Sequence, residues 1–308
     1  MPARFAVRSA FQVVARLAMS ARARTMAVPR PSLRAAVIAV GLLAFLAVTI
    51  GMPADAEAQG PGGRRRQSSG SPGVTAASAV RHIAFSGHDW LVKNSADTRL
   101  GPGPNYFSDS TRNVWVDELG RLHLRIEKRT GRWYSAEVIS AASFGYGTYR
   151  WYLDSPVDRL DVNVVLGLFT WNDDPAHNHR ELDIEFARWG NASYANGQYT
   201  VQPYTVAGNQ FTFNEPAGLP ETTHSLVWAA PVRVGAQPSA AFKSIGGHAE
   251  NSTDPGPRIA ERTFDKGVPP AGGENARMNL WLFEGRAPTD RKVVEIVIKR
   301  FEFVPPTP

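Results

Sequence analysis

Glu181-Leu182-Asp183-Ile184-Glu185-Phe186 decides the reading of this 308-residue chain. Three acids alternate with three apolar residues. In a strand, side chains at i, i+2 and i+4 share one face. Glu181, Asp183 and Glu185 therefore point one way, and Leu182, Ile184 and Phe186 point into a core. Asp and Glu are disfavoured in strands, and three like charges in a row repel, so this pattern bears a stability cost of the kind that marks function. A plain solvated strand would mix polar types in place of three acids.

Outward from the triplet, period-two and β-rich runs recur. They are Val114–Val116, Leu122–Lys128, Ala136–Ser140, Gly147–Leu153, Val162–Trp171, Leu182–Trp189, Gln198–Thr205, Gln210–Phe213, His224–Trp228, Ala276–Phe283 and Lys292–Phe303. Turn residues separate them, as at Glu118-Leu119-Gly120 and Asn196-Gly197. No long stretch has helical period. The pattern predicts an all-β sandwich or barrel. Residues 230–275 are rich in Pro, Gly and charge and read as long loops around one strand near Phe242.

The amino terminus has a different character. Ala35 to Met52 is an apolar run with a single Thr, preceded by Arg30 and Arg34 and followed by the small-x-small triplets Ala54-Asp55-Ala56 and Ala56-Glu57-Ala58. This reads as a signal peptide over residues 1–58, with Met26 as an alternative start, and predicts a secreted or periplasmic protein without stable membrane association. The alternative is an amino-terminal membrane anchor. Residues 59–80, rich in Gly, Ser, Pro and Arg, read as a linker, leaving 81–308 as one globular domain. The net charge of +6 comes from the amino-terminal arginines. From residue 81 onward there are 24 basic and 26 acidic residues, which removes the electrostatic footing for nucleic-acid binding. The absence of Cys excludes a disulfide scaffold, a thiol nucleophile and a Cys-based zinc site.

Aromatics flank the triplet: Phe169 and Trp171 before it, Trp189 and Tyr204 after it. Aromatic faces beside carboxylates suit sugar rings. Residues four apart in a strand lie about 13 Å from each other at ~3.3 Å per residue, whereas paired carboxylates in retaining glycosidases stand about 5–5.5 Å apart. Both acids must then lean inward over a curved sheet.

The Glu-x-Asp-x-Glu strand resembles the signature of glycoside hydrolase family 16, which comprises retaining endo-β-glucanases, agarases, carrageenases and xyloglucan transglycosylases. Phe144-Gly-Tyr-Gly-Thr-Tyr149, Gly167-Leu-Phe-Thr-Trp171, His224-Ser-Leu-Val-Trp228 and Met278-Asn-Leu-Trp281 resemble further segments of that family, in family order. The resemblance implies a concanavalin A-like β-jelly roll with a concave cleft. It makes Glu181 the nucleophile, Glu185 the general acid/base and Asp183 the residue between them. It also implies sugar contacts at Glu137, Trp171, Gln202, Tyr204, Asn279 and Trp281. Departures occur at Ile139, where an Arg is expected, at Arg150 in place of a Glu, and at His177-Asn-His179-Arg180 ahead of the acidic strand. The strand lacks the extra residue of the bulged Glu-x-Asp-x-x-Glu form, which groups it with lichenases and transglycosylases.

The expectation is an endo-acting retaining β-glycanase acting on a neutral β-glucan. A cell-wall transglycosylase or a non-catalytic lectin-like module is the alternative. No cofactor is needed. A structural calcium ion is allowed by the resemblance, without ligands indicated. The polysaccharide is the expected partner, and the protein is expected to be a monomer. A metal site at His177, His179 and the acids fails on spacing: the cupin motif places its Glu three or four residues after His-x-His, whereas Glu181 and Glu185 lie two and six residues beyond His179.

Overall fold

The computed structural model describes residues 80–249 and 256–307. The expected signal peptide (1–58) and all but the last residue of the expected linker (59–80) lie outside the described residues.

Sixteen strands form the domain, in chain order β1 (His82–Phe85), β2 (His88–Val92), β3 (Tyr106–Phe107), β4 (Val114–Val116), β5 (Leu122–Arg129), β6 (Arg132–Ser143), β7 (Gly147–Leu153), β8 (Val164–Trp171), β9 (Leu182–Phe186), β10 (Gly197–Val201), β11 (Gln210–Phe213), β12 (Thr222–Ala229), β13 (Ser239–Gly246), β14 (Arg258–Phe264), β15 (Asn275–Leu282) and β16 (Val294–Val304). Fifteen of them make two antiparallel sheets, and the two-residue β3 pairs in parallel with β6. One runs β11-β10-β9-β8-β15-β6-β2-β1, and the other runs β14-β13-β12-β7-β16-β5-β4. The long β5–β6 hairpin joins them: Arg132–Tyr134 pairs with β5, whereas the later half of β6 pairs with β15 and β2.

The apolar faces of the two sheets meet in one core. Phe186 of β9 lies edge-on to His224 of β12, Tyr199 of β10 stacks on Phe242 of β13 at 5.0 Å, and Trp90 of β2 meets Phe301 of β16 at 5.2 Å. Leu182, Ile184 and Phe186 are fully buried in this core, as their alternation requires. Two polar groups of this core are matched: Tyr199 Oη donates to Ser244 Oγ at 2.6 Å, and His224 Nδ1 and Nε2 bond Ser244 and Thr222. Burial holds the His224 pKa down to about 3, so this ring is a neutral core group.

Several boundaries differ from the sequence expectation. The strand expected to run from Leu182 to Trp189 ends at Phe186, where the chain turns and Trp189 takes a left-handed φ of 51°. The strand expected to reach Thr205 ends at Val201, because Pro203 has no N–H for a ladder. Gly197 is the first residue of β10 rather than a turn residue. A Cβ there would stand 2.5 Å from the Phe213 ring. The described residues of the region 230–275 hold two strands, β13 and β14, before β15 starts at Asn275, in place of the one expected near Phe242. β14 is an edge strand bearing Arg258, Glu261 and Arg262, and its charges hide its β character. β1, β2 and β3 were not anticipated either. The first two form a hairpin through Ser86-Gly87, both with positive φ.

Candidate active site

The ladder registers lay out the face of β9 turned away from the core. Glu185 lies opposite Gly167 of β8, Gly167 opposite Asn279 of β15, and Asn279 opposite Glu137 of β6. On the other flank Glu185 faces Gln198 of β10. The next row is Thr200, Asp183, Phe169, Arg277 and Ile139. The strand β9 pairs with both neighbours without a register shift, so no bulge intervenes among its acids. The resulting surface holds Glu181, Asp183, Glu185, Glu137, Asn279 and Trp171 on one side of one sheet.

Each carboxyl has a defined setting. Asp183 is 3% exposed, and its Oδ2 accepts from Gln202 Nε2 at 3.0 Å. Glu185 Oε2 accepts from Gln198 Nε2 at 2.7 Å. The Gln198 amide is in turn held by Trp189 Nε1, which donates to its oxygen at 3.1 Å. Glu181 stands just ahead of β9 and shares a hydrogen bond with Asp183. Burial raises all three pKa values. Burial and the charge of Glu185 push Glu181 up to about 8, and burial pushes Glu185 to about 7. Burial and both neighbours hold Asp183 well above the usual carboxylate range. Gln198 and Gln202 pull their partners back down, and Arg277 does so for Glu181. The three acids thus retain at least one proton at neutral pH. The order of Glu181 above Glu185 is the reverse of what a nucleophile and an acid require. The proton belongs to the group as a whole, so these shifts leave the two roles undivided.

The expected sugar contacts fall into two sets. Asn279 and Trp171 stand on the carboxylate face. Asn279 is 2% exposed, and its Oδ1 has no partner. It lies across Gly167, where a Cβ would come within 2.5 Å of that oxygen. Glu137 shares the face, but cations hold its carboxylate: Lys93 Nζ at 2.9 Å and Arg277 Nη1 at 3.5 Å. Gln202 is committed between Asp183 and the Tyr204 backbone N–H. Tyr204 is 56% exposed on the turn after β10. Trp281 is nearly buried in a second apolar cluster with Phe107, Val165 and Ala187, beside Trp189 and Phe283.

Two features were not foreseen. Arg277 is 7% exposed. Its Nη2 donates to Asp173 Oδ1 at 3.0 Å, and Trp171 Nε1 donates to the same oxygen at 3.0 Å. Its parity with Asn279 and Trp281 on one strand was the available signal. The second feature is the position of His179. It stacks on Trp171 with ring centroids 4.0 Å apart and planes 9° from parallel, and its Nδ1 bonds the Asn172 carbonyl at 2.8 Å. The backbone that delivers it is unusual: His177, Asn178, His179 and Arg180 all have φ between 53° and 60°. The left-handed region costs a non-glycine residue roughly 1–2 kcal/mol. The Thr170 hydroxyl, donating to the Arg180 carbonyl at 2.7 Å, helps hold this strap. His179 is therefore tied up against Trp171 beside the carboxylates, whereas His177 is exposed.

Among the described residues, Asp154, Glu221 and His248 bring three potential ligand atoms within 4.8 Å of one another, on the other sheet. Arg121 approaches Asp154 at 3.5 Å, and Lys299 bonds His248 at 2.9 Å, so protein cations already balance that group. A cavity of about 440 Å³ lies beyond the strap, between His177, Tyr146 and Pro231, Pro238, Pro269 and Pro270, away from the carboxylates.

No family model matches the chain, and no curated protein matches it. Solved structures do. SCLam, a non-specific endo-β-1,3(4)-glucanase from family GH16, superposes with a TM-score of 0.50 at 12% identity, over 70% of this chain and 83% of its own. A Bacillus licheniformis β-glucanase gives 0.49 at 16% identity, covering 70% of this chain and 91% of that one. A Bacteroides ovatus GH16 protein of a mixed linkage glucan locus, in complex with its G4G4G3G product, gives 0.48 at 14% identity, over 70% and 94%. The likeness to SCLam fixes the architecture: the described part of this chain has the jelly-roll fold of a family GH16 glucanase.

Proposed function

We propose that the protein is a glycoside hydrolase of family 16 that cleaves a neutral β-glucan from within the chain, with retention of anomeric configuration. The observation that carries this reading is the placement of Glu181, Asp183 and Glu185 on one face of β9, buried enough to share a proton and flanked by Trp171 and Asn279. A retaining mechanism needs one ionised carboxylate to attack the anomeric carbon and one protonated carboxyl to donate to the leaving oxygen. A trio that cannot ionise completely at neutral pH supplies both forms. In this assignment, taken from motif position, Glu181 attacks and Glu185 protonates the glycosidic oxygen. Glu185 then deprotonates the incoming water. Gln198 orients Glu185, and Gln202 orients Asp183. The apolar run at 35–52 supports export as part of the same proposal.

Reducing-sugar release on barley β-glucan, laminarin, xyloglucan and κ-carrageenan in parallel tests the substrate. Proton NMR of the first product tests the stereochemistry: the β-anomer should appear before mutarotation. Turnover confined to the sulfated polymer would overturn the neutral-glucan reading.

A further inference from the structure

Strand β15 alternates without interruption. Ala276, Met278, Leu280 and Leu282 enter the core, which leaves Asn275, Arg277, Asn279 and Trp281 for the carboxylate face. Two of these carry buried polar atoms with no protein partner. Arg277 uses Nη1 on Glu137 and Nη2 on Asp173, and its Nε–H is left over. Asn279 Oδ1, laid across the bare backbone of Gly167, is left over as well. Leaving a buried donor or acceptor unpaired is costly, and such groups call for an explanation. Here one is a donor and one an acceptor. They stand two residues apart on one strand face, about 6.6 Å along the strand, which is the scale of one sugar ring.

We propose that Arg277 is a further substrate-binding residue, and that its Nε–H and the Asn279 amide oxygen together hold one neutral sugar residue by two of its hydroxyls. The inference rests on the glycanase reading above and adds a specificity-determining contact to it. A neutral partner follows from the charges around the guanidinium. Glu137 and Asp173 pair with it directly, and Glu181 lies within its electrostatic reach. Lys93 is spent on Glu137. A sulfate or uronate would find both cations, Arg277 and Lys93, already neutralised by Glu137 and Asp173, whereas a hydroxyl can accept from Nε and another can donate to Oδ1 without needing a counter-charge. The ion pairs also fix the guanidinium in advance, so little rotamer freedom is lost on binding.

The test uses the full chain and initial-rate kinetics on barley β-glucan and laminarin. Arg277→Lys keeps a cation between Glu137 and Asp173 but removes the Nε donor. KM should rise roughly tenfold, the effect of one hydrogen bond to a charged donor, with kcat within about threefold of the parent. Asn279→Ala should act in the same way. The double variant should lose less than the product of the two single effects, because both contacts serve one sugar. An unchanged KM in Arg277→Lys with an unchanged melting temperature would overturn the assignment, and so would a loss confined to kcat. If Arg277→Lys fails to fold, Arg277→Gln and Asn279→Ala carry the same test, and unchanged KM in both has the same consequence. A parent enzyme inactive on all four polymers would remove the glycanase reading, and the Arg277 assignment with it. An active parent with insensitive variants would remove only the latter.

Discussion

The two sheets treat their acids in opposite ways. On the sheet that does not carry β9, and on the hairpin that joins the two, four carboxylates have cationic company. Asp117 bonds His123 and Arg121, Glu295 bonds Arg125 and His123, Glu127 bonds Arg112 and Arg129, and Glu302 bonds Arg150 and Tyr152. Their electrostatics follow. The His123 hydrogen bond and the Arg121 backbone N–H hold Asp117 well below the usual range. Burial opposes ionisation of Glu127 and Glu295, but their ion pairs prevail and both pKa values fall. On β9 the same residue types receive amides in place of cations, and their pKa values rise. Paired acids hold two strands together. Acids denied a counter-ion keep a proton available for chemistry, at a cost in stability.

The contrast is broken most directly at Glu181. Glu181→Gln should cut hydrolysis at least about a thousandfold, equivalent to roughly 4 kcal/mol of transition-state stabilisation, with the fold intact by circular dichroism. Glu181→Ala should regain turnover with azide and yield an α-glycosyl azide. Full activity in Glu181→Gln would end the assignment. Next in size, Glu302→Ala strands Arg150, which is 4% exposed, with only Tyr152 for company. It should cost about 3 kcal/mol in urea unfolding and leave KM unchanged. A smaller effect belongs to Gly167→Ala. The added methyl must displace the Asn279 amide, so kcat/KM should fall about tenfold while the melting temperature moves little.

The smallest effect concerns pH. A carboxyl whose folded pKa is raised binds more protons folded than unfolded between about pH 4.5 and 8, so its contribution to stability declines as pH rises through that window. Glu181→Gln removes one such group. The variant should melt close to the parent at pH 4.5 and above it at pH 8, with the gap widening as pH rises through the window. Calorimetric scans at both pH values decide it, and a gap that narrowed with pH would contradict the raised pKa.

Much of this was legible in the residues. Leu122-His-Leu-Arg-Ile-Glu127 alternates cleanly and is a strand, and Gly147–Leu153 begins and ends as read. The facing of Glu181, Asp183 and Glu185 needed only period two. What escaped notice depended on partners distant in sequence. β2 offers five residues, His88-Asp-Trp-Leu-Val92, too few and too mixed to declare a strand until β1 and β6 pair with it. Arg277 has no local mark of function. It matters because the register sets it beside Phe169, Ile139 and, one strand further, Asp183. His179 could not have been placed on Trp171, because the residues of its turn do not announce a left-handed path.

That strap also bears on how the molecule can change. Glycine at Asn178 would accept the observed dihedrals without a Cβ penalty, so the segment has stability in reserve that a single substitution could release. The same change would loosen the tether that presses His179 onto Trp171. A lineage selected for robustness alone would drift toward glycine here, whereas one selected on how sugar meets that tryptophan would keep side chains in an uncomfortable backbone. On the glycanase reading proposed above, the loop ahead of Glu181 is a place where endurance and discrimination pull the same four codons in opposite directions.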